Sequence, residues 1–340
     1  MYRLILASII LLHSMLGFAQ KKLEIAAWGG EIPQSLIHQF EKETGIKVYL
    51  STFESNENLI IKLKSSKNHS YDLITPSGYY VHRLEQFDML KPIDPKKIKN
   101  LNQINPIFFS SSHQKIFGIP FVWGATGIFY NDKYIQSPPS HWQQLWESKY
   151  KNQLLLLDDT REVFSMSLLS LDKPPNNQNN QDIHNAYLNL LKLAPNIKLF
   201  ASDAVSRIVS DEDAWVGMAW NGDIVKVQQE NPHIHFTYPS EGFIIWEECF
   251  AIPKNAKHIR EAYEFINFIL KPQHSAQITK EMKFSVTNLE AKKYLPQDMV
   301  ENSILFPSND ILAKGILQED ADEKTISLYN SYWELIKISL

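Results

Sequence analysis

The chain has 340 residues, 38 acidic against 34 basic, a formal net charge of −4 and 44% hydrophobic side chains. This is the composition of an ordinary globular protein, with length for two domains or one large α/β domain. The mild acidity argues against nucleic acid as a partner, and beyond the N-terminus no stretch is long and apolar enough to span a bilayer.

The chain opens MYRLILASIILLHSMLGFAQ, in which Arg3 supplies a positive end, an apolar run follows, and Gly17-Phe18-Ala19 offers a small-x-small cleavage site. Residues 1–19 therefore read as a signal peptide, and removing Arg3 with it takes the net charge from −4 to −5. Export gives meaning to the single Cys249: it has no partner for an internal disulfide, so the fold must rest on its core in an oxidising compartment. No cysteine stands at the cleavage site to carry a lipid, and a periplasmic protein is the expectation.

Strand and helix signals then alternate, which favours an α/β architecture. LEIAAW reads as a strand and PQSLIHQFEKETG as a helix, with Pro33 near its start and Gly45 past its end. IKVYLSTF, YDLITPS and the long apolar GIPFVWGATGIFYN are further strands. SHWQQLWESKY is expected to be a capped helix, with Trp142, Leu145 and Trp146 on one face. PPNNQNNQD, residues 174–182, reads as a polar surface linker, and a later helix is expected from Ala256 to Leu270, ended by Lys271-Pro272.

Catalytic and metal signatures are sparse. The sequence has no GxSxG, HExxH, CxxC or phosphate-cradling glycine loop. His233 and His235 share a strand face at spacing two, and Tyr79-Tyr80 offers phenolates, but neither comes with the remaining ligands of a metal site. A glycosidase pair from Asp158 or Asp159 with Glu162 is disfavoured, because Arg161 beside them is expected to keep them ionised. The prominent feature is aromatic residues with acids at strand ends. Trp28 closes LEIAAW, Trp220 closes WVGMAW, and alternation in FIIWEECFAIP puts Trp246 and Glu248 on one face, with Glu247 and Cys249 on the other. Open α/β sheets bind ligands at such places.

The stretches QFEKETGIKVYLSTFESNE, YDLITPSGYYV, IPFVWGAT, LWESKYKNQLLLLDDTREVF, VGMAWNG and FAIPKNAK resemble, in order and over nearly the whole length after the leader, the spermidine/putrescine-binding periplasmic proteins. The resemblance implies a two-lobed α/β periplasmic binding protein fold with crossing hinge strands. Crossings would fall near Trp123-Gly124 and Trp246-Glu247, making an N-terminal lobe of residues 20–124 and 247–293 and a C-terminal lobe of residues 125–246 and 294–340. It implies a binding protein and not an enzyme, monomeric, without cofactor or metal, capturing a polyamine for the membrane permease of an ABC transporter. The implied ligand residues are Trp28, Ser77, Tyr79, Asp159, Glu162, Trp220 and Trp246, with Glu248 where the family usually has aspartate and Gln318 from a less securely aligned C-terminal stretch. Arg161 is implied to orient the acids. One departure stands out: where the family reads Trp-x-acid-Tyr, this chain reads Trp28-Gly29-Gly30-Glu31. An aromatic wall is lost and the carboxylate moves one place, to Glu31. That leaves room for another cationic solute, a different amine or ferric iron; a periplasmic enzyme is the remaining alternative.

The chemistry fits without the family. A polyamine needs apolar walls for its methylenes and separated anions for its ammoniums, which indole and phenol faces with Asp159, Glu162 and Glu248 would supply. Asp159 and Glu162 are also spaced as a capping box; the roles are compatible if Asp158 caps the helix and the other two turn to the cleft.

Overall fold

The computed structural model describes residues 21–65, 70–109 and 115–339; the signal peptide expected over residues 1–19 lies outside the described residues. In chain order the first elements are β1 (Lys22–Trp28), α1 (Gln34–Thr44), β2 (Lys47–Phe53), α2 (Asn56–Ser65), β3 (Leu73–Ile74), α3 (Gly78–Gln86), β4 (Leu90–Lys91) and the long β5 (Gly118–Asn131). Next come β6 (Leu154–Leu156), α4 (Thr160–Leu169), α5 (Asn180–Leu193), β7 (Ile197–Phe200), α6 (Val205–Ser210), β8 (Val216–Trp220), α7 (Asn221–Val227), β9 (Ile234–Thr237) and β10 (Phe243–Pro253). The chain finishes with α8 (Ile259–Ile269), α9 (Pro272–Met282), β11 (Ser285–Val286), α10 (Gln297–Val300), α11 (Asn309–Leu312), β12 (Gly315–Leu317) and α12 (Glu323–Ile338).

The path through the sheet is β2-β1-β3-β10-β5-β8-β6-β7. At one end β1 pairs in parallel with β2 and β3; at the other, β6 pairs in parallel with β7 and β8. Parallel strands need helical crossovers and bury both faces, so each end carries its own core. Leu23, Ile25, Phe40 and Phe265 belong to one cluster, and Leu155, Phe164, Met218 and Trp333 to the other. The two long strands β5 and β10 join them antiparallel. Ile119 and Val122 of β5 lie in the first core and Ile128 and Phe129 in the second, with Trp123, Ala125, Phe243 and Ile245 in a small cluster between. The molecule is thus two α/β lobes with strands running through both.

Two details shape the crossing. Trp246 pairs with Gly124, and a Cβ on Gly124 would meet the indole Cζ2 at 2.2 Å, so only glycine lets the ring lie across β5. Further along, Glu248 pairs with Val122 but Cys249 with Pro120. Phe121 is left as the extra residue of a bulge, stacked on Phe250 at 4.0 Å between centroids.

α1 starts after Pro33 and stops at Gly45, whose φ of 69° is the left-handed cap expected of glycine. Three sequence expectations need correction. SHWQQLWESKY forms two short 3₁₀ turns, Trp142–Trp146 and Ser148–Tyr150. Gln144 Oε1 accepts the N–H groups of Ser140 and His141 at 2.7 and 3.0 Å, which tightens the turn. The helix expected from Ala256 begins only at Ile259, and Pro272 opens a new helix at its first turn. The 174–182 linker is an anchor: Pro175 is buried, Asn176 donates to Leu317 O at 2.8 Å and accepts from Glu319 N at 3.0 Å, and Asn179 caps α5.

Asp72, fully buried, ties β1 and β3 to the start of α8. It accepts from Glu24 N at 3.0 Å, Lys257 N at 2.9 Å and His258 N at 2.8 Å, and pairs with His258 Nδ1 at 2.9 Å. Replacing it strands several buried donors, so Asp72→Ala is expected to lower unfolding stability by about 3 kcal/mol, measured by urea denaturation.

Candidate ligand-binding cleft

A cleft of about 750 Å³ opens where the lobes face each other. Trp28, Glu31, Ser77, Tyr79 and Glu248 line it from the side of β1 and α3; Asp159, Glu162, Trp220, Trp246 and Gln318 line it from the side of β6, β8 and the C-terminal run. All ten expected side chains therefore meet around one space. The β1 and β8 contributors stand at the C-terminal ends of their strands, as the rule for open α/β sheets requires.

On the first side the acids are held by short polar bonds. Trp28 Nε1 donates to Glu248 Oε2 at 2.9 Å and Ser77 Oγ to Glu248 Oε1 at 3.0 Å. Asn56 Nδ2 reaches Ser77 Oγ at 3.1 Å and the Tyr79 hydroxyl at 3.3 Å. Glu31 turns into the same corner, its Oε2 accepting from Thr75 Oγ1 at 2.7 Å. From β2, Phe53 tilts against the Trp28 indole with centroids 4.8 Å apart.

On the second side the four leucines end in a helix cap. Leu154 to Leu157 are fully buried, and Asp159 Oδ1 accepts the Glu162 N–H at 3.0 Å as the N-cap of α4. The cap is thus Asp159 and not Asp158, which pairs with Lys337 Nζ at 2.6 Å. Asp159 both caps and borders the cleft. Glu162 is 4% exposed, beside Thr126 and Trp220, and its Oε2 has no hydrogen-bond partner. Trp246 meets Trp220 edge to face at 6.4 Å and Phe284 at 5.7 Å. Gln318 is placed by its backbone N–H, which donates to Ile245 O at 3.0 Å.

Burial dominates the charge state of the acids. It pushes Glu31 up to about 8 against the bonds from Thr75 and Trp28. Glu162 also rises to about 8, through burial and then the neighbouring Asp159. Glu248 goes well above the usual carboxyl range by burial and the proximity of Glu31, and burial raises Asp159. Outside the cleft wall, Glu247 is pushed by burial to about 8 as well. Arg161, expected to keep Asp159 and Glu162 ionised, does pull both carboxyls down, but burial outweighs it and both are raised. Its Nη2 donates to Glu319 O at 2.9 Å and its guanidinium lies 5.9 Å from the Tyr79 ring and 5.6 Å from that of Tyr329. Among the described residues none of Glu31, Asp159, Glu162 and Glu248 forms an ion pair.

Several contributors escape sequence reasoning. Phe53 and Asn56 lie within the stretch FESNE, but nothing local marks them as site residues; Phe284 and Arg83 carry no signal of their own. His233 and His235 do share a face, and a distant acid joins them: their ring nitrogens meet the two oxygens of Asp132 at 2.7 Å each. Among the described residues no group of three or more histidine, cysteine, aspartate or glutamate side chains is placed to hold a metal ion.

A carboxyl whose pKa is higher folded than unfolded stabilises the fold below its unfolded value and loses that contribution as pH rises through the folded one. With Glu31, Glu162 and Glu247 moved from 4.5 to about 8, the melting temperature of the unliganded protein is expected to fall steadily from pH 5 to pH 8.5. Calorimetric scans across that window check it, and Glu162→Gln should flatten the slope.

The chain matches the bacterial extracellular solute-binding protein family over residues 35–306. It is 36% identical over 313 residues to the spermidine/putrescine-binding periplasmic protein of Escherichia coli (strain K12), covering 91% of this chain and 90% of that one. The putrescine-binding periplasmic protein PotF of the same strain is 29% identical, covering 94% and 92%. Among solved structures, the spermidine/putrescine ABC transporter substrate-binding protein PotD from Streptococcus pneumoniae, in complex with calcium and HEPES, is 33% identical with a TM-score of 0.84, covering 94% of this chain and 99% of that one. A putative spermidine/putrescine ABC transporter from Listeria monocytogenes is 30% identical with a TM-score of 0.88, covering 94% and 100%. Two lobes, a shared cleft and these likenesses together assign the chain to the bacterial extracellular solute-binding proteins, in the family of the spermidine/putrescine-binding periplasmic proteins.

Proposed function

We propose that this protein captures a polyamine between its lobes in the periplasm and delivers it to the membrane permease of an ABC transporter, as a binder without turnover. One observation carries the reading: three buried carboxyls, Glu31 and Glu248 on one side and Glu162 on the other, with the half-buried Asp159 beside Glu162, line an indole-walled cleft, and no ion pair among the described residues engages them. Burying anions this way is unfavourable unless cations arrive, and an elongated amine brings cations joined by methylenes suited to the Trp28, Trp220 and Trp246 faces. Each ring is worth roughly 0.5–2 kcal/mol towards a desolvated cation. Micromolar capture needs only about 8 kcal/mol in all.

The lobe boundaries are part of the proposal, with residues 20–124 and 247–293 forming one lobe and 125–246 and 294–340 the other. The separation of the two main cores along β5 supports it. In this scheme the ligand touches both lobes and stabilises the closed form only by its greater affinity for it. A second reading, a different amine, is favoured by Glu31, whose carboxyl stands where the family pattern has an aromatic ring.

Asp159→Asn keeps an N-cap side chain while removing the charge, and Trp246→Ala removes the indole over Gly124. Each is expected to weaken spermidine or putrescine binding by roughly tenfold or more with an unaltered circular dichroism spectrum; unchanged titration calorimetry in both would refute the assignment. A bound ammonium also lowers the raised carboxyl pKa values, so binding at pH 7 is expected to release protons. Calorimetry in two buffers of different ionisation enthalpy reads that release directly.

A further inference from the structure

The C-terminal run that brings Gln318 to the cleft is gripped by two arginines, one from each side. From α3, Arg83 Nη2 donates to Asp320 Oδ1 at 2.6 Å and to Ala321 O at 2.7 Å, with its guanidinium 5.2 Å from the Tyr80 ring. From α4, Arg161 Nη2 donates to Glu319 O. The run is otherwise tied to the second lobe. Asn176 bonds Leu317 and Glu319, Gln178 Oε1 accepts from Asp322 N at 3.3 Å, and Tyr329 and Trp333 of the following α12 join the core built on α4 and α5. Helix α3 belongs to the opposite side, where Tyr80 and Leu84 pack with Ala26, Phe53 and Ile74. The Arg83–Asp320 pair therefore crosses between lobes beside a cleft residue. Its side chains are only 11% and 14% exposed, so water and salt screen it less than a surface pair.

We propose that Arg83 and Asp320 form an interlobe clasp that positions Gln318 and holds the cleft shut, thereby setting how long a bound ligand stays. The proposal rests on the reading that the lobes close around a polyamine. A contact made only in the closed form raises the closed population without any ligand and must break before release. Encounter takes place with the open form, so breaking the clasp speeds dissociation and does not slow association. Neither residue needs to touch the ligand; Arg83 is a positioning residue, held over Tyr80 on the helix whose first turn presents Tyr79 to the cleft.

The test uses the full chain with spermidine and putrescine as probes, followed by stopped-flow tryptophan fluorescence. Arg83→Glu, Asp320→Arg and Asp320→Asn are each expected to speed dissociation by roughly tenfold without slowing association, and the Arg83→Glu/Asp320→Arg exchange should restore slow release. A merely structural role would lower unfolding stability and leave the dissociation rate near the original. In parallel, hydrogen exchange on the unliganded protein should show the amides of residues 317–322 losing protection in the single variants and regaining it in the exchange. Dissociation at the original rate in all three single variants, or single variants that the exchange does not rescue by either measurement, overturns the clasp. If the unaltered protein binds neither amine, the functional reading fails, and the exchange measurement still decides the clasp.

Discussion

A carboxylate taken out of water without a cation costs several kcal/mol, and this cleft buries three, Glu31, Glu162 and Glu248, with Asp159 half-buried at its edge. Short bonds from Trp28, Ser77 and Thr75 hold two of them in place without neutralising them, because neutral donors orient a carboxylate more than they compensate its charge. Burial and mutual repulsion then drive the acids towards their protonated forms. In the proposed function an arriving ammonium would replace protons on groups already aimed into the cleft. Little of the binding free energy is lost to ordering side chains.

That arrangement depends on the crossing strands. β5 and β10 bring halves of two cores into register, and the same pairing that stacks Phe121 on Phe250 in one lobe lays Trp246 across Gly124 at the junction. Trp246 contacts Trp220 and Phe284 edge to face, so the indole that walls the cleft is fixed by groups from three separate stretches of chain.

The C-terminal run shows how a polar loop acquires a purpose. Asn176 and Gln178 bond the backbone leading from β12 to α12, and Arg161 and Arg83 grip it from the cleft. Composition alone makes residues 174–182 look like a solvated linker, because asparagine and glutamine are common in such loops. Their backbone-binding capacity is the same whether the partner is water or another segment, and sequence does not say which.

Element identity was legible where local rules decide it. Pro33 and Gly45 bracket α1, alternation in FIIWEECFAIP sends Trp246 and Glu248 to one side, and the leucine run before Asp159 and Glu162 ends in a helix cap. The nine residues implied by family likeness, and Glu31 where the chain departs from it, line one cleft because likeness carries the fold along with the motif. Where local rules competed, the reading slipped: Asp159 took the cap from Asp158, which found Lys337, and the Trp142 segment tightened into 3₁₀ turns. By itself the sequence determined periodicity, caps and the residue types at strand ends, which are properties of near neighbours. Only the tertiary structure decided the charge state of the acids, the company of Phe53 and Asn56, and the meeting of Arg83 with Asp320, 237 positions away. Desolvation and long-range pairing arise from groups that the chain brings together only by folding.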